Sequence, residues 1–203
     1  MRYIRFVFEG TKEYLELYEI EVIGLDNQKM KTRNITSSLN SQHISLSITE
    51  NGGKSAFVPA SETILGQLID GDLTSFIQLT KGTVGEDKYD ILLYLDDLRT
   101  ISSITTSFIK GFREYRPKTI NVYIGETEES ATDPNAEPIY TINTDEVKGD
   151  QHIEDIRPML GRFIRFELAE FYFNEYLVDK DGKGVIAACL SEIKITGTKV
   201  KGL

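Results

Sequence analysis

The sequence predicts an all-β fold of the sandwich or jelly-roll type, and three observations carry that prediction. Short runs rich in Ile, Val, Tyr, Phe and Thr recur along the whole 203-residue chain. Many alternate apolar and polar side chains with period two, as a half-buried strand does. Between them lie stretches crowded with turn residues, such as ENGGK, DGD, KGTVGED and DPNAEP.

The strand candidates follow in order. YIRFVF at 3–8 and YEIEVIG at 18–24 form a pair at the start, and ISLSI at 44–48 comes next. YDILLYL at 89–95 and ISSITTSFI at 101–109 are two strands, with a turn expected at Asp96-Asp97. KTINVYIG at 118–125 places Ile120, Val122 and Ile124 on one face and Asn121 and Tyr123 on the other. IYTI at 139–142 follows, across the polar surface loop 126–138. FIRFEL at 163–168 and SEIKITG at 191–197 close the set. Helix is expected only in short pieces, around 61–69 and as a turn near 153–159.

The chain repeats itself. RYIRF at 2–6 returns as RFIRF at 162–166, and LYEIEVIG at 17–24 returns as LSEIKITG at 190–197. Residues 1–24 hold only two strands, which cannot fold alone. The expected organisation is therefore one domain over 1–203, with an added strand pair at 1–24 and a core jelly roll over 35–197. That pair packs on its own sandwich or on a neighbouring subunit, which leaves a homo-oligomer open. In the second copy, period two sets Arg165 beside Phe163 on the outer face, opposite Ile164 and Phe166.

Composition narrows the function. A net charge of −9 argues against nucleic acid as a partner, because phosphate binding needs a basic footprint. No apolar run approaches the roughly 18 residues that span a bilayer. MRYIRFVFEG alternates like a strand and carries charge at once, so no signal peptide is expected there. The single cysteine, Cys189 in VIAACL, reads as a buried core thiol. The two histidines, His43 and His152, are far apart, and no nucleophile elbow, Walker loop or dinucleotide fingerprint is present. An enzyme is not expected.

Three stretches carry candidate chemistry. LIDGDLTSF at 68–76 clusters Asp70, Asp72, Thr74 and Ser75 around Gly71. Hard oxygens at a glycine turn suit Ca²⁺, while an ion-free Asx turn needs the same residues. GFREYRPK at 111–118 places Arg113, Tyr115 and Arg116 just before a strand. EFYFNEYLVDKDGKG at 170–184 places Tyr172, Phe173, Asn174 and Tyr176 in an insertion of about 13 residues relative to the first copy, ending in an exposed hairpin turn at DKDGKG. Aromatics beside Arg and Asn suit a sugar, a protein contact, or side chains folded back on the sandwich.

With these residues in view, the chain resembles the discoidin or coagulation-factor type C family of galactose-binding-like jelly rolls. LIDGDLTSFIQL is similar to the family's DGD-x-x-T-x-W segment, with Ser75 at the Thr position and Ile77 at the Trp position. YDILLYLDDLRTISSITTSFI, RPKTINVYIGE, GRFIRFEL and LSEIKITG resemble its later strands in order, over about 35–197. The pair at the start resembles one that precedes the domain in some phage-encoded and bacterial surface proteins. The chain departs from the pattern in having no tryptophan, in reading GETEES where the family has S-x-D-G, and in lacking two terminal cysteines.

The resemblance implies a non-catalytic module that binds glycan, lipid or protein through loops at one end of the sandwich. It implies a structural Ca²⁺ held by Asp70, Asp72, Ser75 and Glu192, the last from the closing E-I strand. It makes the loop with Arg113, Tyr115 and Arg116 a candidate ligand contact, beside Tyr172, Phe173, Asn174 and Tyr176, which the aromatic insertion itself nominates. The functional expectation is a phage virion or tail-associated attachment protein that contacts host-surface glycan or neighbouring virion proteins. A cellular lectin-like module and a purely structural adaptor are the alternatives. The expected location is the virion or the outside of a cell.

Overall fold

The computed structural model describes residues 32–50, 53–54, 56–59, 65–81, 88–111, 113–171, 173–178 and 184–200. The chain divides into two compact units, Met1–Met30 and Lys31–Leu203. The strand pair expected over 1–24 falls in the first unit and lies outside the described residues.

Among its described residues the second unit holds twelve strands: β1 (Arg33–Asn34), β2 (Ile44–Glu50), β3 (Gly53–Lys54), β4 (Val58–Pro59), β5 (Ile77–Lys81) and β6 (Lys88–Ser107), followed by β7 (Pro117–Gly125), β8 (Tyr140–Asn143), β9 (Gln151–Phe171), β10 (Phe173–Val178), β11 (Gly184–Leu190) and β12 (Glu192–Lys199). One sheet runs β1-β12-β6-β9-β7-β8, with β2 also on β6 and with β3 and β4 on β2. A second sheet runs β10-β11-β5. Every pairing between described strands is antiparallel. The architecture is an all-β, galactose-binding-like sandwich, as the sequence led us to expect.

Two long strands organise it. The first half of β6 pairs with β2, its second half pairs with β12, and β9 runs beside both halves. The turn expected at Asp96-Asp97 does not exist: β6 is continuous, and the register with β9 instead shifts between Tyr94 and Arg99. A bulge of this kind bends a strand without ending it. The two acidic residues stay exposed there, which satisfies them without a chain reversal. The turn expected near 153–159 is likewise absent, because those residues belong to β9. Around 61–69 the described part is a 3-10 helix, Leu65–Ile69, whose Leu65, Leu68 and Ile69 are buried. The loop 126–138 does connect neighbouring strands, and it carries one short helix, α1 (Glu128–Thr132), capped by Thr127.

The core lies between the sheets. Ile91, Leu93, Ile101 and Ile104 of β6 meet Ile164, Phe166 and Leu168 of β9, and Ile77, Ala188, Leu190, Ile193 and Ile195 belong to the same cluster. Cys189 is buried as expected, and burial pushes its thiol up to about 11, so it is an inert packing group.

The outer face of β9 corrects the sequence reading. Arg165 does point away from Ile164 and Phe166, yet it is buried, as is Tyr123. Its Nε donates to Ala131 O at 2.8 Å, so the α1 segment roofs this part of the sheet. Its Nη1 lies 2.9 Å from Asp90 Oδ1, and its guanidinium stacks 3.7 Å from the centre of the Tyr123 ring. Period two identifies the face of a strand but not what covers that face.

Gly197 sits where β12 slips register against β6. A Cβ there would lie 2.2 Å from the backbone oxygen of Thr100, which cannot swing aside. Gly197→Ala is therefore expected to destabilise the fold by about 1–3 kcal/mol, by overpacking. Chemical denaturation checks this, and an unchanged midpoint would contradict it.

Candidate loop-end groove and oxygen-rich turn

One of the three stretches singled out in the sequence, 68–76, lines an open groove of about 840 Å³, and a second, 111–118, braces one of its walls. Leu73, Thr74 and Phe76 of the LIDGDLTSF turn form one side. Ser107, Phe108, Ile109 and Lys110 enter from the end of β6, and Lys148, Gly149, Asp150, Gln151 and Ile153 from the approach to β9 and its first residues. Ser191, between β11 and β12, completes the lining. The size is typical of a small-molecule site.

The groove is apolar where it is most open. Leu73, Phe76 and Ile153 are 56%, 40% and 62% exposed, and five large hydrophobic side chains in all are exposed among the described residues. Three of those five thus meet at a single place, whereas scattered exposure would mean little. Ser191 adds a polar group. Its side chain is buried, and its hydroxyl has no hydrogen-bond partner among the described residues.

The arginines expected to touch ligand hold the groove together instead. Arg116 is 2% exposed, with its guanidinium 4.7 Å from the centre of the Phe108 ring. Its Nη1 donates to Gly149 O at 2.8 Å and its Nη2 to Asp150 Oδ1 at 3.0 Å. Arg113 is exposed and donates from Nη2 to Asp145 O at 3.2 Å and to Val147 O at 2.9 Å. Both fasten the segment 145–150, and Phe108 N–H ties it to β6 by donating to Asp150 O at 2.8 Å. Burial thus turns Arg116 from a ligand contact into a positioning residue.

The 3-10 helix Arg113–Tyr115 lies against β10 and β11, so the FREYR loop and the insertion 170–184 do come together. Tyr115 is half-buried there. Tyr172 lies outside the described residues, and Phe173, Asn174 and Tyr176 are described only as backbone of β10. The loop expected at 179–184 is flanked by β10 and β11, which pair as a hairpin, with residues 179–183 outside the described set.

The DGD turn has its own chemistry. Gly71 adopts φ +81°, a conformation that L side chains rarely take, so the turn depends on glycine. Asp72 N–H donates to Asp70 Oδ1 at 2.7 Å. The Asp72 carboxylate accepts from both the amide and the hydroxyl of Thr74, at 2.8 and 2.7 Å. The Thr74 hydroxyl bond, followed by the amide bond, lowers its pKa. This side chain makes the Asx turn that the sequence left open beside the metal.

The remaining oxygens are in excess. Ser75 Oγ lies 2.9 Å from Asp72 O, 3.0 and 3.3 Å from the two Asp70 carboxylate oxygens, and 3.5 Å from Gln67 O. One hydroxyl has one proton to donate, so the acceptors outnumber the donor. Glu192 brings another carboxylate, accepting from Gly71 N–H at 3.2 Å. Burial, reinforced by Asp70 and Asp72 and opposed by that amide, pushes its carboxyl up to about 7. No three His, Cys, Asp or Glu side chains among the described residues form a metal cluster. The set here mixes side-chain and carbonyl oxygens, and such a set fits Ca²⁺. Asp70, Ser75 and Glu192 would serve through side chains, and Asp72 and Gln67 through carbonyls.

No protein-family model matches this chain, and no curated protein matches it by sequence. Solved structures do match by fold. A putative chitobiase fragment from Bacteroides thetaiotaomicron superposes with a TM-score of 0.52 at 13% identity, over 68% of this chain and 78% of that one. The module CBM32-3 of a family 31 glycoside hydrolase from Clostridium perfringens gives 0.51 at 12%, over 79% and 94%. The module CpGH89CBM32-5 from Clostridium perfringens, solved with GalNAc-β-1,3-galactose, gives 0.51 at 15%, over 80% and 99%. The fold is therefore the discoidin-type, galactose-binding-like sandwich found in carbohydrate-binding modules.

Proposed function

We propose that the chain is a non-catalytic carbohydrate-binding module whose ligand occupies the loop-end groove. The observation that carries this reading is the gathering of exposed Leu73, Phe76 and Ile153 in one groove. Apolar walls receive the C–H face of a sugar ring. The shared fold with a module solved on GalNAc-β-1,3-galactose supports the same reading. A glycan array probed with the full chain should show saccharide-dependent binding. Phe76→Ala with Ile153→Ala is expected to weaken that binding about tenfold, the loss of part of a small apolar contact. Equal binding by the double variant would remove the groove from the proposal.

The setting proposed for the module is attachment: to a host-surface glycan or to neighbouring proteins of a phage particle. Mass spectrometry of purified particles that carry the gene tests the setting, and absence of the chain from them would contradict it.

We also propose that the DGD turn takes Ca²⁺ as a structural ion, through the oxygens named above. The ion would supply the positive charge that the crowded carboxylates lack. In metal-stripped protein, Ca²⁺ is expected to raise the Tm and EDTA to reverse the gain, with Asp70→Asn abolishing the response. A Tm indifferent to both would leave the turn as an ion-free Asx turn.

A further inference from the structure

We propose that the groove selects an acidic saccharide, one bearing a carboxylate on its ring, through Lys110 and Lys148. This inference rests on the carbohydrate reading above and narrows it.

The charge of the groove runs against that of the chain. The protein carries a formal −9, yet the charged side chains lining the groove are Lys110, Lys148 and Asp150. Asp150 is neutralised by Arg116, whose buried guanidinium lies 3.0 Å from its carboxylate. Two lysines remain. Both are exposed, and neither has an ion-pair partner among the described residues.

They are also held together. Lys110 follows Phe108 at the end of β6, and Lys148 precedes Asp150 on the facing segment. The bond from Phe108 N–H to Asp150 O, at 2.8 Å, fastens one segment to the other. Arg116 strengthens that junction by stacking on Phe108 while bonding to Gly149 and Asp150. The segments that carry the two lysines are thus joined on adjoining walls, and the one carboxylate among the described lining residues, Asp150, is paired with Arg116. Repulsion makes this arrangement mildly unfavourable in the unliganded protein, and an anion relieves it. A neutral sugar would gain only from the apolar walls.

An acidic pyranose matches both halves of the lining. Its C–H face meets Leu73, Phe76 and Ile153, and its carboxylate meets the two ammonium groups. Because the lysines are exposed, the attraction is screened by salt.

Calorimetry on the full chain tests this with two probes, a galacturonic acid trisaccharide and the neutral galactose trisaccharide of the same linkage. The acid should bind at least about tenfold tighter at low salt, with the preference largely lost at roughly 0.5 M salt. Lys110→Gln and Lys148→Gln should each weaken acid binding about fivefold and neutral-sugar binding by less than about twofold. Equal binding of both probes, with the lysine variants silent, would overturn the acidic selectivity and leave the carbohydrate reading standing. Binding of neither probe, whether or not the chain binds phosphatidylserine vesicles, would overturn both.

Discussion

Replacing Arg165 by leucine is expected to lower the stability of the fold by about 3–5 kcal/mol, the scale for breaking a buried ion pair from one side. Arg165 and Asp90 are both buried, and their charged atoms are 2.9 Å apart. Removing the guanidinium leaves Ala131 O without its donor and Tyr123 without its stacked cation. Among the described residues, Asp90 then keeps Lys54 as its ion-pair partner, at 2.9 Å, whose side chain is partly solvated. Replacing Asp90 instead leaves the buried Arg165 with Glu167 at 3.7 Å. The double variant, with leucine at both positions, should be more stable than the sum of the two single losses implies, because no lone charge stays buried. Equilibrium denaturation in urea reads all three. If the Arg165 variant lost less than about 1 kcal/mol, the value typical of an exposed pair, the roofed ion pair would be contradicted.

The second large effect belongs to Arg116. Arg116→Leu is expected to cost about 2–4 kcal/mol, because the buried guanidinium gives charge-assisted bonds to Gly149 O and Asp150 and stacks on Phe108. Arg116→Lys should recover little of this, since an ammonium cannot span two acceptors while stacking on Phe108. The contrast lies with Arg113→Ala, where an exposed side chain donates to two carbonyls and the expected loss is about 1 kcal/mol or less. Both changes should weaken glycan binding by loosening the segment that carries Lys148. Only the Arg116 change should also lower the denaturation midpoint strongly. A ligand-contacting Arg116 would show the opposite pattern, with binding lost at full stability.

How much of this was legible beforehand varies with the range of the interaction. Period-two alternation located β2, β7, β8 and β12 closely, because each is a local pattern of burial. The same rule split β6, since Asp96-Asp97 reads as a turn and only pairing with β9 shows it to be a bulge. It also set Arg165 on the outer face correctly while missing that α1, more than thirty residues earlier, covers it. The oxygen-rich turn was legible because its oxygen atoms lie within 67–75, apart from those of Glu192. The groove was not, because four separate segments build it and none is distinctive alone. One signal was present: Leu73 and Phe76 are apolar residues inside an otherwise polar turn, which core packing does not explain. Aromatic and arginine content drew attention to FREYR instead, and burial made its second arginine an anchor.

A second aromatic cluster frames the decisive measurement. His43 stacks on Tyr94, Tyr94 meets Phe163, and Arg162 lies over Tyr94, with His43 Nε2 2.8 Å from Asp96. Aromatic rings beside charged groups also suit a sugar, but each of these side chains is engaged with its neighbours at the bend of β6. NMR titration of the labelled full chain with a glycan bound on the array separates the two places directly. Amide shifts are expected to concentrate at Leu73, Phe76, Lys110, Lys148 and Ile153, with those around Tyr94 and Phe163 unmoved. Shifts confined to His43, Tyr94 and Phe163, or to 173–178, would contradict the groove as the binding site.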